Sequence, residues 1–230
     1  MVITGGSKGI GRAIAEVFSA RSFDVMASAR NNPDLLKMKS EIETKYGNKV
    51  YVFSGDMAVE KEVMAFAKFV LLHNRPVDVL VNNAGYFVPG EICTEPDGTL
   101  ESMMNANLFS AYHITRGLAP SMKKKKDGHI FNLCSVASFK AYPNGGSYAI
   151  SKFALLGFSK CLREELKEHG IRVTAVMPGA TKTVSWDGAD LPDSRFMKTE
   201  DVAESIWAAY SLSKRSVVEE IIIRPQLGDI

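Results

Sequence analysis

An α/β fold is predicted for this chain: a doubly wound parallel sheet of seven strands with helices on both faces, in a single domain spanning residues 1–230. Three observations predict it. Apolar runs of strand length alternate with amphipathic helical stretches, the pattern of strands joined by helical crossovers. A glycine-rich turn, Thr4-Gly5-Gly6-Ser7-Lys8-Gly9-Ile10-Gly11, separates the first run from the first helix. Later runs end in polar turn residues, at Asp56-Met57 and Asn82-Asn83-Ala84-Gly85. Sheets of this kind bind ligands at the carboxyl ends of their strands, where the strand order reverses.

The elements follow in order. Residues 1–3 are a short apolar run that stops at the glycines, and R-A-I-A-E-V-F then begins a helix near 11–22. A strand at 24–29, a helix at 33–46, a strand at 50–54 and a helix at 61–73 follow. The rest reads as strand 77–81, helix 100–124, strand 129–134, helix 148–169, strand 171–177, helix 199–213 and strand 218–223. The helix at 100–124 closes in the basic run Lys123 to Lys126, just before Asp127-Gly128. Positive charge suits the carboxyl end of a helix, so this run is a solvated helix end. No linker, repeat or low-complexity tract breaks the order.

Composition narrows the function classes. Hydrophobic residues make up 46% of the chain, enough for a full core. No stretch approaches the ~18–20 apolar residues of a membrane span, and the chain enters a strand at once, leaving no room for a signal peptide. A net charge of +2 is too balanced for a nucleic-acid binder. Cys93, Cys134 and Cys161 have neither metal-ligand nor redox spacing, and His73, His113, His129 and His169 form no ligand cluster. A cytoplasmic protein with no metal is expected.

The glycine turn has strand before it and helix after it, the context a dinucleotide site requires. Glycines let the backbone approach a pyrophosphate closely, and the helix N-terminus favours its charge. A tight strand-to-helix turn with no ligand is the plainer alternative. At the end of the second strand, Ser28-Ala29-Arg30-Asn31 carries no carboxylate for the ribose hydroxyls. Arg30 and Lys8 suit a 2′-phosphate instead, so NADP(H) is favoured over NAD(H). Alternatively, Arg30 stacks on adenine or lies in solvent. The turns at Asp56-Met57 and Asn82 to Gly85 also read as ordinary turn chemistry when taken singly.

Ser135, Tyr148 and Lys152 lie in C-S-V-A-S-F-K-A-Y-P-N-G-G-S-Y-A-I-S-K. Tyr148 and Lys152 are spaced i, i+4 and share one face of a helix. A cation beside a phenol lowers its pKa, which makes tyrosine a usable proton donor and acceptor. Any long helix also offers such a pair by chance.

Assembled, these motifs resemble the short-chain dehydrogenase/reductase family, in its compact, Rossmann-type single-domain branch, from Thr4 to about Ile223. The family's T-G-x-x-x-G-x-G is here Thr4 to Gly11, its acidic adenine contact Asp56, and its N-N-A-G Asn82 to Gly85. Its helix asparagine is Asn107, and its serine and Y-x-x-x-K are Ser135, Tyr148 and Lys152. Its proline-glycine is Pro178-Gly179, followed by a threonine at Thr183. The resemblance implies a cofactor set of Gly5, Ser7, Lys8, Gly9, Ile10, Gly11, Arg30, Asp56, Met57, Asn83, Ala84, Gly85, Tyr148, Lys152, Pro178, Gly179, Thr181 and Thr183. Only three residues precede Thr4, so the first strand is clipped relative to the family, and the lid, residues 184–198, is short. The chain's ending lacks the family's frequent glycine pair and is closer to the branch acting on small ketones or short 3-hydroxy acids.

The same resemblance implies roles. Tyr148 is general acid in reduction and general base in oxidation, and Lys152 lowers its pKa while hydrogen-bonding the nicotinamide ribose. Ser135 hydrogen-bonds the substrate oxygen as it becomes an alkoxide, and Asn107 holds a water linking Lys152 to solvent. Phe87, Phe139, Tyr142, Asn144 and Trp186 are the candidate substrate contacts. If they line the pocket, it takes a small or medium, mostly apolar ketone or aldehyde; if they cover the core, it is undefined. Rival readings are a dehydrogenase of secondary alcohols or short 3-hydroxy acids, a 3-oxoacyl thioester reductase, and a non-catalytic NADP(H)-binding regulator. Epimerases and dehydratases of the family's longer branch carry an extra domain, for which 230 residues leave no space. A homodimer or homotetramer, paired through the helices at 100–124 and 148–169, is implied.

Overall fold

The computed structural model describes residues 1–186, Gly188 and 190–230. Its centre is a seven-stranded sheet of β1 (Val2–Thr4), β2 (Val25–Ala29), β3 (Val50–Ser54), β4 (Val79–Asn82), β5 (Gly128–Leu133), β6 (Ile171–Pro178) and β7 (Glu220–Ile223). The order is β3-β2-β1-β4-β5-β6-β7, and every neighbouring pair is parallel. From β1 the chain winds outward through β2 and β3, then returns to pair β4 with the other edge of β1. The order therefore reverses between β1 and β4, which opens a crevice at their carboxyl ends. Thr4 and Asn82 stand there.

Successive strand residues point to opposite faces, and both faces are covered. Ile3, Val79, Val81, Phe131 and Val176 pack under α1 (Gly9–Ser19), α2 (Asn32–Tyr46) and α7 (Thr199–Ser211), with Ile14, Phe18, Leu35, Met38 and Ile206. Val2, Leu80, Ile130 and Val173 face the other layer, where α3 (Glu60–Leu72), α5 (Ser110–Lys125) and α6 (Gly146–Leu166) contribute Phe66, Val70, Ile114, Leu118 and Leu162. Phe18 meets Phe23 and Trp207 edge-on, each at 5.3 Å between ring centres. Burying such a ring contributes about 1.5–3 kcal/mol.

Local chemistry explains the boundaries. Asn31 caps α2 by accepting from the Asp34 amide at 2.9 Å, and Gly47 closes it with φ +75°. Lys126, at φ +55°, ends α5 as the basic run anticipates. The main departure is the helix expected as one element at 100–124. It divides into α4 (Thr99–Met104), a π turn at Asn105–Phe109 and α5. The Ser110 amide reaches back to the Asn105 carbonyl, so one extra residue fits the turn that holds Asn107. Such insertions re-aim side chains and leave little trace in apolar periodicity. The sixth helix begins at Gly146, before Tyr148, and the first strand includes Thr4. No helix among the described residues is long and apolar enough to cross a membrane.

Candidate active site

The crevice is built first from backbone. Thr4 Oγ1 accepts the amides of Asn83 and Ala84, at 3.1 and 3.0 Å. Asn83 Nδ2 donates to the carbonyls of Thr4 and Gly5, at 3.0 and 2.9 Å. These bonds tie the glycine turn to the end of β4. A Cβ on Gly11 would lie 2.2 Å from the Gly5 carbonyl oxygen, so no other residue fits without moving backbone. Gly9 turns at φ +54°, and a Cβ there would meet the Thr183 methyl at 3.2 Å. Ser7, Lys8 and Ile10 complete the turn into α1, whose leading amides have no intrahelical acceptors.

Arg30 lies just beyond β2, exposed, and makes no ion pair among the described residues. Lys8 differs from expectation: its Nζ pairs with Asp34 at 2.8 Å. An acidic residue in the first turn of α2 competes for it, and Arg30 is left as the unpaired cation of the two. The Asp56 carboxylate accepts the Ala58 amide at 2.9 Å, while the Met57 side chain is buried in the core. Past β6, the Gly179 amide donates to the Ile223 carbonyl at 2.8 Å, and Thr181 Oγ1 donates to the Gly179 carbonyl at 3.0 Å. The segment beyond is pinned by a bridge between Thr181 and Met197.

Ser135, Tyr148 and Lys152 are brought together beside this crevice. Ser135 follows β5 in extended conformation, and its Oγ accepts the Ala137 amide at 3.1 Å. Lys152 is 6% exposed, and its Nζ donates to the Leu133 carbonyl at 2.7 Å, standing 5.7 Å from the centre of the Tyr148 ring. An ammonium has three donors, so two remain for a ligand. Burial pushes the Lys152 amine down to about 8. Burial also pushes the Tyr148 phenol above its usual value, and a hydrogen bond with Ser135 pulls it partly back. The net direction for the phenol is therefore upward, with burial the largest cause.

Asn107 Oδ1 accepts the Tyr86 amide at 2.9 Å; its Nδ2 donates to the Tyr86 carbonyl at 3.1 Å and to Ser151 Oγ at 2.9 Å. The side chain thus holds the start of the loop after β4. Gly85 is needed beside it, since a Cβ would lie 2.6 Å from Asn107 Oδ1. Ser151 was missed by motif reading; its spacing beside Y-x-x-x-K was the available signal. The Leu133 carbonyl left none, since any residue type supplies one.

Of the candidate substrate contacts, Phe87 packs edge-on against the Tyr148 ring at 4.9 Å between centres. Tyr142 folds over Gly145, where a Cβ would be 3.1 Å from its ring. Phe139 lies under the Arg224 guanidinium at 5.6 Å. Asn144 takes φ +60° and its carbonyl accepts the Gly90 amide at 3.1 Å. Trp186 packs on Phe196, 5.2 Å between centres, within the segment past β6. Phe87 is therefore brought onto Tyr148, Tyr142 packs on Gly145 three residues before it, and Trp186 has an aromatic partner of its own. No group of His, Cys, Asp and Glu side chains among the described residues is arranged to hold a metal.

The family model described as short chain dehydrogenase matches residues 1–190. This chain belongs to the short-chain dehydrogenase family. Among relatives of this short-chain dehydrogenase, sepiapterin reductase from Chlorobaculum tepidum is 33% identical over 238 residues, covering all of this chain and 97% of that one. Among solved structures, an alcohol dehydrogenase from the archaeon Thermococcus sibiricus, complexed with 5-hydroxy-NADP, superposes with TM-score 0.93 at 26% identity, covering 100% and 97% of the two chains. L-sorbose reductase from Gluconobacter frateurii, complexed with NADPH and L-sorbose, gives TM-score 0.91 at 27% identity, with 97% and 94% covered. The seven-stranded sheet and its flanking helices are those of the family, and the protein is an oxidoreductase.

Proposed function

We propose that this short-chain dehydrogenase is an NADP(H)-dependent reductase of a small to medium, mostly apolar ketone or aldehyde. The observation that carries the reading is the convergence of Ser135, Tyr148 and Lys152 beside a glycine-built crevice whose unpaired cation is Arg30. The residues fit the cofactor. The leading amides of α1 suit a pyrophosphate, and an exposed guanidinium suits a 2′-phosphate. The two remaining Lys152 donors suit ribose hydroxyls, and Asp56, Met57, Ala84, Pro178, Gly179, Thr181 and Thr183 complete the holding set. The NADP(H)-bound structures and the reductases of sepiapterin and L-sorbose support NADP(H)-linked carbonyl reduction, while the apolar substrate rests on the aromatic side chains near Tyr148.

The nicotinamide supplies hydride when bound; the chain's own residues manage the proton and the oxygen. Tyr148 donates its phenolic proton to the carbonyl oxygen as negative charge develops there. Ser135, bonded to the phenol, donates to the same oxygen and stabilises the alkoxide-like transition state. Lys152 holds the positive charge that stabilises the tyrosinate left behind. Asn107 fixes the loop that carries Phe87 onto Tyr148 and so excludes water from one side of the phenol. Residues 184–198, of which Asp187 and Ala189 lie outside the described residues, are assigned as the short lid of a single cofactor-binding and catalytic domain.

The protein acts as a homodimer or homotetramer in this proposal. Phe109 at the end of the π turn and Tyr112 at the start of α5, with Ile150 and Phe153 on α6, are exposed apolar side chains that support pairing through these helices. Turnover of NADPH at 340 nm against ketones, aldehydes, 3-oxo esters and acyl thioesters tests the activity. Reduction of neutral carbonyls with NADPH in preference to NADH supports it, and NADPH binding without turnover in either direction overturns it in favour of a regulator.

A further inference from the structure

Two serines flank the proposed proton donor on α6, Ser147 and Ser151, spaced i, i+4 and 1% and 0% exposed. Both meet the loop that runs from β4 to α4. Ser151 receives Asn107, which grips the loop at Tyr86. Ser147 donates its hydroxyl proton to the carboxylate of Glu95, near the far end of the same loop.

The surroundings of Glu95 are built to close tolerance. Gly90 and Gly145 form an isolated parallel bridge, and the Gly90 amide donates to the Asn144 carbonyl at 3.1 Å. A Cβ on Gly146 would lie 2.5 Å from the Gly90 carbonyl oxygen and 3.2 Å from Glu95 Oε2. A Cβ on Gly90 would lie 3.2 Å from Glu95 Cβ. Glu95 Oε2 is itself buried with no hydrogen-bond partner. It sits against the first turn of a 21-residue helix whose N-cap, Gly145, provides no side-chain cap. A carboxylate is favoured at that end by the helix dipole and by the leading amides.

We infer that Glu95 is a positioning residue for Tyr148, acting through Ser147. The inference rests on the proposal that Tyr148 is the proton donor. Asn107–Ser151 fixes the loop at its start and Glu95–Ser147 fixes it near its end. Between the two clamps stand Phe87, which packs on the Tyr148 ring, and Gly90. The first turn of α6 cannot shift relative to the loop while both hold, and Tyr148 is one residue beyond the second clamp.

Glu95→Ala, Glu95→Gln and Ser147→Ala test this with two readouts. The first is amide exchange in the free protein, which needs no substrate. Glu95→Ala is expected to speed exchange about 10-fold at Gly90 and Ala149, whose acceptors are the Asn144 and Gly145 carbonyls, leaving β5 and β6 unchanged. The second is kinetics: Glu95→Ala is expected to lower kcat roughly 10- to 100-fold, with the NADPH Kd from fluorescence titration within about 2-fold. Glu95→Gln keeps an oxygen acceptor for Ser147 and is expected to restore most of kcat. The Glu95→Ala/Ser147→Ala double variant is expected to be no slower than the worse single one. Unchanged exchange at Gly90 and Ala149 overturns the clamp, whatever the activity. Faster exchange with normal kcat, or no recovery in Glu95→Gln, overturns the positioning role. A wild-type protein that reduces no carbonyl fails the reductase reading alone, and the exchange measurement still decides the clamp.

Discussion

Lys152 places a buried cation beside the proposed proton donor, and the cost of keeping it there is measurable. Its amine is pushed from 10.5 to about 8 by burial. At about 1.4 kcal/mol per pH unit, that gap amounts to roughly 3 kcal/mol of destabilisation while the group is charged in both folded and unfolded chains. A depressed lysine binds fewer protons folded than unfolded between pH 8 and 10.5. The full penalty is thus present below about pH 8 and is relieved as pH rises towards 10.5. Lys152→Met removes it. The variant also orphans the Leu133 carbonyl that Lys152 now satisfies, a cost of about 1–3 kcal/mol that does not vary with pH. The stability difference between variant and wild type should therefore fall by about 1.4 kcal/mol per pH unit between pH 8 and 10.5, in favour of wild type. Urea unfolding of both proteins at pH 7, 8, 9 and 10 reads this directly, since other titrations cancel in the difference. A difference that stays flat across that range would refute the reasoning.

Other perturbations separate the parts of the site. Gly11→Ala drives a Cβ to 2.2 Å from the Gly5 oxygen and 2.5 Å from Asn83 Nδ2; a stability loss of about 1–3 kcal/mol is expected in urea unfolding, together with loss of NADPH fluorescence enhancement. Arg30→Ala is expected to weaken NADPH by roughly 10- to 100-fold, the range of a charge-assisted bond, with NADH unchanged in the same titration. Equal weakening of both cofactors would remove Arg30 from the 2′-phosphate. His129 is fully buried, with Nε2 2.7 Å from Thr174 Oγ1 and its imidazole pushed from 6.5 down to about 2 by burial. The folded state binds fewer protons than the unfolded one between those values, so wild type should lose about 1.4 kcal/mol per pH unit below pH 6.5 relative to His129→Leu, read by urea unfolding at pH 6, 5 and 4.

How much of this was legible in the sequence depends on the kind of interaction. The sheet was readable because both faces are covered: runs such as Val79 to Val81 or Ile130 and Phe131 have to be apolar on each side. The glycine turn was readable because Gly11 cannot be replaced against the Gly5 carbonyl. Tyr148 and Lys152 announced themselves by their i, i+4 spacing on one helix, with Ser135 thirteen residues before the tyrosine. The π turn at Asn105–Phe109 did not, because one inserted residue shifts a helical pattern too little to be seen against the apolar residues around it. The pairing of Lys8 with Asp34 and of Glu95 with Ser147 joins residues distant in the chain, and no local pattern encodes it. The phenol's upward shift was hidden for a different reason: spacing identifies the neighbouring cation, but desolvation depends on how the finished fold covers both groups.

The proton donor carries the whole account, and Tyr148→Phe tests it most directly. The variant keeps the ring that packs against Phe87 and removes only the hydroxyl. With a carbonyl substrate found for the wild type, NADPH turnover should fall by about 10²–10⁴ while NADPH still binds by fluorescence titration. A Tyr148→Phe protein that binds NADPH and reduces the substrate at the wild-type rate would contradict the mechanism.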